Sequence, residues 1–474
     1  MKLAGMTASI AGKAAKNSLK HLSSDEEKRL QARSELMQDV GIQIAGTLGE
    51  MKGAVMKVGQ IASQYKDVFP PEVATALEKL QKDAPPMPYS QIRNQVEREL
   101  KAPINELFAN FAEVPFAAAS IGQVRKATLI SGQNVVVKVQ YPDVDENCDS
   151  DLKQVRMALK IAGVLNMSRE LQNQLFDEIR NSLRDELDYI KEASNLRVFG
   201  AFHASDTGLI IPKVIGSHSS KRILTLTEEM GETLAVAATW DNEIKIKIAE
   251  RLFHFSAGQL FNLYRMHCDP HPGNFAFRAD GSVIAYDFGG IRSYSDNEVQ
   301  LFRRFAKHAV RSDVTALEQD LVALGIRRND DTDIPGEFYE QWLAIGLQSL
   351  SIPPYQQGPF DFANSQVHHQ AIAQMRTSLK YFSQFQPSAT TMMLDRTVSG
   401  QYWNLVNLGV EIDLAPLVHQ YLDSSKPKAV STYLTKSEQG KAENYDIQKS
   451  ESDLVETIKS ESNDNNLEKS KADS

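Results

Sequence analysis

Between about residues 25 and 64 apolar side chains recur every three or four positions. Val40, Ile44, Leu48, Met51, Val55, Val58 and Ala62 trace a single stripe, which predicts a long amphipathic helix. Pro70-Pro71 ends it, a second helix covers about 72–82, and a third follows Pro85-Pro86 and Pro88 and runs to Leu100. Near Phe116 the period shortens. Runs at 120–129 and 134–141 read as two strands joined by Ser131-Gly132-Gln133, a hairpin signal. A long helix is expected over 169–202, with Leu171, Leu175, Ile179, Leu183, Leu187 and Ile190 on its buried face. Strand-like segments return at 209–214 and 222–227. Beyond Gly231 the pattern is mainly helical, apart from a hairpin over 275–286 that turns on Asp280-Gly281.

From about residue 424 the chain is rich in Ser, Lys, Glu, Asp and Asn with little to bury, so a disordered tail is expected. The domains predicted are a helical extension over 1–115, a small β-rich lobe over 116–230, a helical lobe over 231–423 and the tail over 424–474. This is an α+β fold of two lobes. Composition fits a globular chain, with 42% hydrophobic and 24% charged residues. A net charge of -9 argues against nucleic acid as a partner, because no basic domain is present to displace phosphate counterions. Two cysteines, Cys148 and Cys268, are too few for a disulfide framework and point to a reducing, cytoplasmic setting. No apolar run approaches membrane-spanning length; the nearest, 252–264, contains His254, Ser256, Gln259 and Asn262 and reads as a buried core helix. Leu3, Met6, Ile10 and Ala14 fall at helical spacing among Lys2, Lys13, Lys16 and Lys20. They fit either a loosely ordered first helix or an amphipathic segment at an anionic membrane surface.

The chemistry concentrates in His267-Cys268-Asp269-Pro270-His271-Pro272-Gly273-Asn274, followed thirteen positions after Asn274 by Asp287-Phe288-Gly289. Phosphoryl transfer from a nucleotide needs a group near the acceptor and hard oxygen ligands for Mg²⁺, whose remaining sites go to phosphate and water. An Asp, an Asn five residues on, and an Asp-Phe-Gly across a hairpin supply those parts in kinase order. A zinc site on His267, Cys268 and His271 is disfavoured, since Pro270 and Pro272 preclude the helix that would bring the two histidines onto one face. Upstream, Val135-Val136-Val137-Lys138-Val139 reads as a strand whose lysine is either an edge gatekeeper or a phosphate ligand, and chain order favours the latter. Its carboxylate partner is left open among Glu186, Asp188 and Glu192. Ala117, Ala118, Ala119, Ser120 and Gly122 lie just before that strand. They read as a nucleotide-covering loop in which alanines replace the more permissive glycines.

Together these motifs resemble the UbiB/AarF family of atypical kinase-like proteins, over about residues 46–410. Lys57-Val58-Gly59-Gln60, the alanine-rich loop, Glu186-Leu187-Asp188, and Asp269–Asn274 with Asp287-Phe288-Gly289 carry the likeness, and Leu394-Asp395-Arg396-Thr397 adds to it. The resemblance implies a protein-kinase-like fold with an N-terminal helical extension that carries Lys57, Gly59 and Gln60 over the cleft, near Glu186 and Asp188, where it disfavours protein substrates. It implies ATP or ADP and Mg²⁺ as cofactors. Lys138 would bind the α- and β-phosphates, paired with Glu192 or Glu186. Asp269 would occupy the catalytic-base position, Asn274 and Asp287 would hold Mg²⁺, and Glu229 and Met230 would meet adenine. The implied context is ubiquinone biosynthesis, with an isoprenoid lipid or quinone precursor and quinone-biosynthesis enzymes as partners. The implied location is cytoplasmic, peripheral at the inner face of a membrane. Bacterial members commonly end in transmembrane helices, whereas this chain ends in a polar tail. No Ala-Pro-Glu segment follows Gly289, which separates the chain from conventional protein kinases.

Overall fold

Strand alternation explains the first half of the structure. In the computed structural model, residues 87–423 are described, apart from 119–120, 143, 145–148, 151, 154–155, 158–159, 161–168, 331, 387 and 389. The predicted helices before residue 87, the Lys57-Gly59-Gln60 motif and the tail lie outside the described residues. The chain divides into two compact units, whose described parts are 87–193 with 212–229 and 194–211 with 230–423.

The first unit is built on an antiparallel sheet. Its strands are β1 (Phe108–Phe111), β2 (Ala117–Ala118), β3 (Gly122–Leu129), β4 (Asn134–Gln140) and, later in the chain, β6 (Ile223–Thr227), in the order β1-β3-β4-β6 with β2 also on β3. Val135, Val137 and Val139 of β4 are fully buried. They pack with Ile92 and Val96 of helix α1 (Tyr89–Leu100) and with Phe108 and Ile223. The alternate face of β4 therefore carries Lys138 and Gln140. Because β4 is paired with β3 on one side and β6 on the other, Lys138 is not an edge residue. The β3–β4 hairpin turns at Gly132, whose φ of 85° suits glycine. Gly122 has a different reason to be glycine: a Cβ there would lie 2.3 Å from the Val139 carbonyl oxygen across the sheet.

The helix expected over 169–202 is instead two helices, α2 (Arg169–Glu186) and α3 (Tyr189–Phe202). Asp188 restarts the helix by accepting the Lys191 N–H at Oδ1, 2.9 Å away. The Leu187 carbonyl exposed at the break accepts a 2.7 Å hydrogen bond from Gln140 Nε2. The break re-phases the buried face: Leu175, Ile179 and Leu183 are buried as expected, but Ile190 is 56% exposed and Tyr189 is buried in its place.

The second unit begins inside α3, not at residue 231. Asn195 Nδ2 donates to the Phe288 carbonyl at 2.9 Å, and the Phe199 and Phe288 rings meet at 5.1 Å. Strand β5 (Leu209–Ile210) pairs in parallel with β9 (Val283–Ala285), which pairs antiparallel with β8 (Phe275–Phe277). The β8–β9 hairpin turns at Gly281, with φ 87°. A second ribbon joins β7 (Arg265–His267) to β10 (Ile291–Ser293). Around these ribbons pack α4 (Asn242–Gly258), α5 (Asp296–Val310), α6 (Val314–Ala323), α7 (Gly336–Leu347), α8 (Val367–Thr377), α9 (Met392–Leu408) and α10 (Ala415–Asp423). The run expected to be one core helix over 252–264 is α4 followed by a π-helical turn, Gln259–Leu263, that ends at Tyr264 with φ 60°. Among the described residues no helix is long and apolar enough to cross a membrane.

Candidate functional site

Each unit places its own set of the candidate residues. In the first unit Lys138 Nζ lies 2.9 and 3.0 Å from the two oxygens of Glu192, and 5.1 Å from the centre of the Tyr189 ring. Glu192 is 2% exposed, so this is a buried, bidentate ion pair. Glu192 stands in the first turn of α3, one turn after Asp188. The helix break decides the geometry: Asp188 is spent as a cap, and Glu186 ends α2. Of the three acids, Glu192 lies with both carboxylate oxygens on Lys138. Ala117 and Ala118 form β2, opposite Val124 and Gln123, while Ala119 and Ser120 lie outside the described residues. Glu229 closes the first unit just after β6.

In the second unit two backbone hydrogen bonds and one from a histidine side chain knit the Asp269–Asn274 stretch to the Asp287-Phe288-Gly289 stretch. Tyr286 N–H donates to the Asn274 carbonyl at 3.0 Å, and Cys268 N–H to the Gly290 carbonyl at 2.9 Å. His267 Nε2 donates to the Asp287 carbonyl. Asn274 Nδ2 donates to the Asp269 carbonyl at 3.2 Å, which leaves Oδ1 as the amide atom available to a cation. Asp287 Oδ1 accepts the Gly289 N–H at 2.9 Å. A carboxylate and an amide oxygen are the hard donors Mg²⁺ takes alongside phosphate and water, so the residues present fit that ion. Among the described residues no three His, Cys, Asp or Glu side chains gather into a metal cluster. His271 Nδ1 accepts the Gly273 N–H at 3.1 Å, a local turn contact. Met230 is half exposed, and its carbonyl accepts from Arg278 Nε at 2.9 Å.

A buried polar chain supports this arrangement from behind. Gln259, in the π-helical turn, accepts the His267 N–H at Oε1, 3.0 Å away. That fixes its amide so that Nε2 donates to His203 Nε2 at 3.3 Å. Burial pushes the His203 pKa down to about 4 and also lowers that of His267. The folded state therefore holds fewer protons than the unfolded chain between about pH 6.5 and 4. Stability present above the ordinary histidine value is lost as the pH falls through that window, to the extent of about 3 kcal/mol for His203. Denaturant unfolding measured from pH 7.5 to 4 should show that acid limb, and His203→Gln should flatten it. Cys268 is buried and its thiol is pushed up to about 11, which makes it an inert core residue.

Two partners of the site had no signal in the local pattern. One is Gln259 with His203. The other is Arg396 of α9, whose Nη2 lies 3.6 Å from Asp269 Oδ1; it sits in the Leu394–Thr397 stretch, to which spacing alone assigned no task. An apolar cavity of about 350 Å³, lined by residues such as Phe338, Trp342 and Phe385, includes none of the candidate residues.

Residues 79–321, just over half the chain, match the model of the ABC1 atypical kinase-like domain. The chain belongs to this family. The atypical kinase COQ8, mitochondrial, of Saccharomyces cerevisiae is 31% identical over 62% of this chain and 59% of its own length. The atypical kinase coq-8, mitochondrial, of Caenorhabditis elegans is 27% identical over 80% of this chain and 50% of its own. The chain thus spans about half the length of these curated relatives. The solved complex of Rv3197 with erythromycin from Mycobacterium tuberculosis aligns with 83% of this chain and 98% of its own at a TM-score of 0.57 and 24% identity. That likeness speaks to the fold, which is kinase-like with mixed helices and strands. The ABC1 match ends at residue 321, so α7 through α10, Arg396 included, lie beyond it.

Proposed function

We propose that this chain is an atypical kinase-like, Mg²⁺-dependent ATPase that supports ubiquinone or related isoprenoid-lipid biosynthesis. The observation that carries the reading is the hydrogen-bonded knot of the second unit, which holds Asp269, Asn274 and Asp287 on two loops tied backbone to backbone. Bound Mg²⁺ supplies charge neutralisation of the nucleotide phosphates. Asn274 and Asp287 offer oxygens to that ion, and Asp269 takes the proton of the attacking hydroxyl or water. Lys138, oriented by Glu192, binds phosphate oxygens, and the alanine-rich segment covers the nucleotide while Glu229 and Met230 meet adenine. The segment bearing Lys57, Gly59 and Gln60 restricts protein substrates.

The names of the two COQ8 relatives support the pathway assignment. Isoprenoid lipid or quinone precursors and quinone-biosynthesis enzymes are the partners proposed, at the inner face of a membrane on its cytoplasmic side. The test follows the γ-phosphate of labelled ATP with purified full chain, with and without isoprenoid lipid. Label released as inorganic phosphate in a Mg²⁺-dependent manner supports the ATPase. Label in an organic-soluble product makes the chain a lipid kinase. Nucleotide-induced stabilisation with label confined to ATP would overturn turnover in favour of a nucleotide-sensing scaffold.

A further inference from the structure

One face of α9 is spent on the Asp269 loop. Arg396, Gly400 and Asn404 follow at intervals of four, so they stack along one side of the helix. Asn404, 3% exposed, donates from Nδ2 to the Pro270 carbonyl at 2.9 Å. At Gly400 a Cβ would fall 2.1 Å from Pro270 Cγ, so the glycine lets the helix lie directly against the proline ring. Thr397 adds a side-chain contact to Cys268. These uncharged contacts fix the helix against Pro270 and the Cys268 side chain, and Arg396, one turn before Gly400, is thereby delivered to the Asp269 carboxylate.

The Arg396–Asp269 pair itself does little for stability. Its closest approach is 3.6 Å, and the two side chains are 34% and 27% exposed, a setting in which ion pairs contribute about 0–1 kcal/mol. Its geometry is more telling. Among the described residues, the contacts of the Asp269 carboxylate fall on Oδ1: the Arg396 guanidinium and, at 3.4 Å, the His271 N–H. Oδ2 carries no hydrogen bond or ion pair among the described residues.

We propose that Arg396 is a positioning residue for Asp269, holding Oδ1 so that Oδ2 takes the proton of the phosphoryl acceptor. This rests on the phosphoryl-transfer reading given above. In that step the acceptor oxygen bonds to the γ-phosphorus as its proton passes to Asp269 Oδ2. The bond from the γ-phosphorus to the bridging oxygen breaks, and ADP leaves. The helix acts as a rigid mount, and the guanidinium as the contact that orients the carboxylate.

The test compares Mg²⁺-ATP turnover, KM for ATP and thermal unfolding in the full chain for wild type, Arg396→Ala and Arg396→Lys, with methylguanidinium added to each. Loss of orientation should lower kcat of Arg396→Ala by about tenfold to a hundredfold, with KM for ATP within about twofold and an unchanged unfolding temperature. Methylguanidinium should restore several-fold of the activity of Arg396→Ala and none to wild type, and Arg396→Lys should fall between the two. Wild-type kcat in Arg396→Ala, or a loss that tracks the unfolding temperature and is not rescued, would overturn the positioning role and leave the phosphoryl-transfer reading standing. A wild-type chain that neither binds nor turns over Mg²⁺-ATP would overturn that reading and this inference with it.

Discussion

Asp287→Asn should lower Mg²⁺-dependent ATP turnover by about 10²–10³-fold, the loss expected when about 3–4 kcal/mol of metal-borne charge stabilisation is withdrawn. The substitution is nearly isosteric. Asn retains an Oδ1 that can accept the Gly289 N–H, the 2.9 Å bond that shapes the loop. The Asp287 carbonyl still receives His267 Nε2, because that contact is made by the backbone. What disappears is one negative charge at the proposed Mg²⁺ ligand position, and with it most of the expected affinity for the ion. Steady-state phosphate release measured over a range of Mg²⁺ concentrations, with circular dichroism to confirm folding, checks this. A rate within twofold of wild type would remove Asp287 from the metal site.

The second large effect lies in the first unit. Lys138→Met removes the cation from a Glu192 carboxylate that is 2% exposed. Leaving a buried charge without its counter-ion costs about 3–5 kcal/mol, much more than the pair contributes over an apolar replacement. Glu192→Leu should cost a comparable amount. The double variant Lys138→Met/Glu192→Leu should recover most of the loss, because the buried Tyr189 ring beside the pair offers an apolar neighbour. Urea unfolding of the four chains gives the coupling energy directly. Additive losses would show that the two side chains do not act as a pair. ATP affinity should remain low in all three variants whatever their stability, since each lacks the oriented lysine.

Spacing picked out the centre of the candidate site. Asp269, Asn274 and Asp287 sit on two short loops joined by a hairpin, so a few residues of sequence hold most of the geometry. The glycine turns at Gly132 and Gly281 were legible for the same reason: a positive φ is a local demand that only certain residues meet cheaply. The break at Leu187-Asp188 was not. Apolar periodicity runs unbroken through it, and its causes are a cap whose function depends on the break and a glutamine 47 residues away on another element. Once the helix is taken as continuous, Ile190 falls on the wrong face, and Asp188 and Glu192, four residues apart, share one face while Glu186 points elsewhere, which does not decide among the three.

Arg396 illustrates the same limit at longer range. It lies 127 residues from Asp269, and it arrives there because Gly400 and Asn404 fit α9 to Pro270. No periodicity within α9 announces that fit. The π-helical turn at Gln259–Leu263 is a third case. Its polar residues looked like interruptions in an apolar run, yet Gln259 is fully buried and bridges His203 to His267. Buried polar groups of this kind are set by partners the local pattern does not contain.

The central claim is that a nucleotide binds here through Mg²⁺. Calorimetric titration of ATP into the full chain, with Mg²⁺ and then with EDTA, tests it most directly. Saturable one-to-one binding that weakens at least tenfold without Mg²⁺ in wild type, and is indifferent to Mg²⁺ in Asp287→Asn, is the predicted result. Binding of equal affinity with and without Mg²⁺, or no binding in either condition, would contradict it.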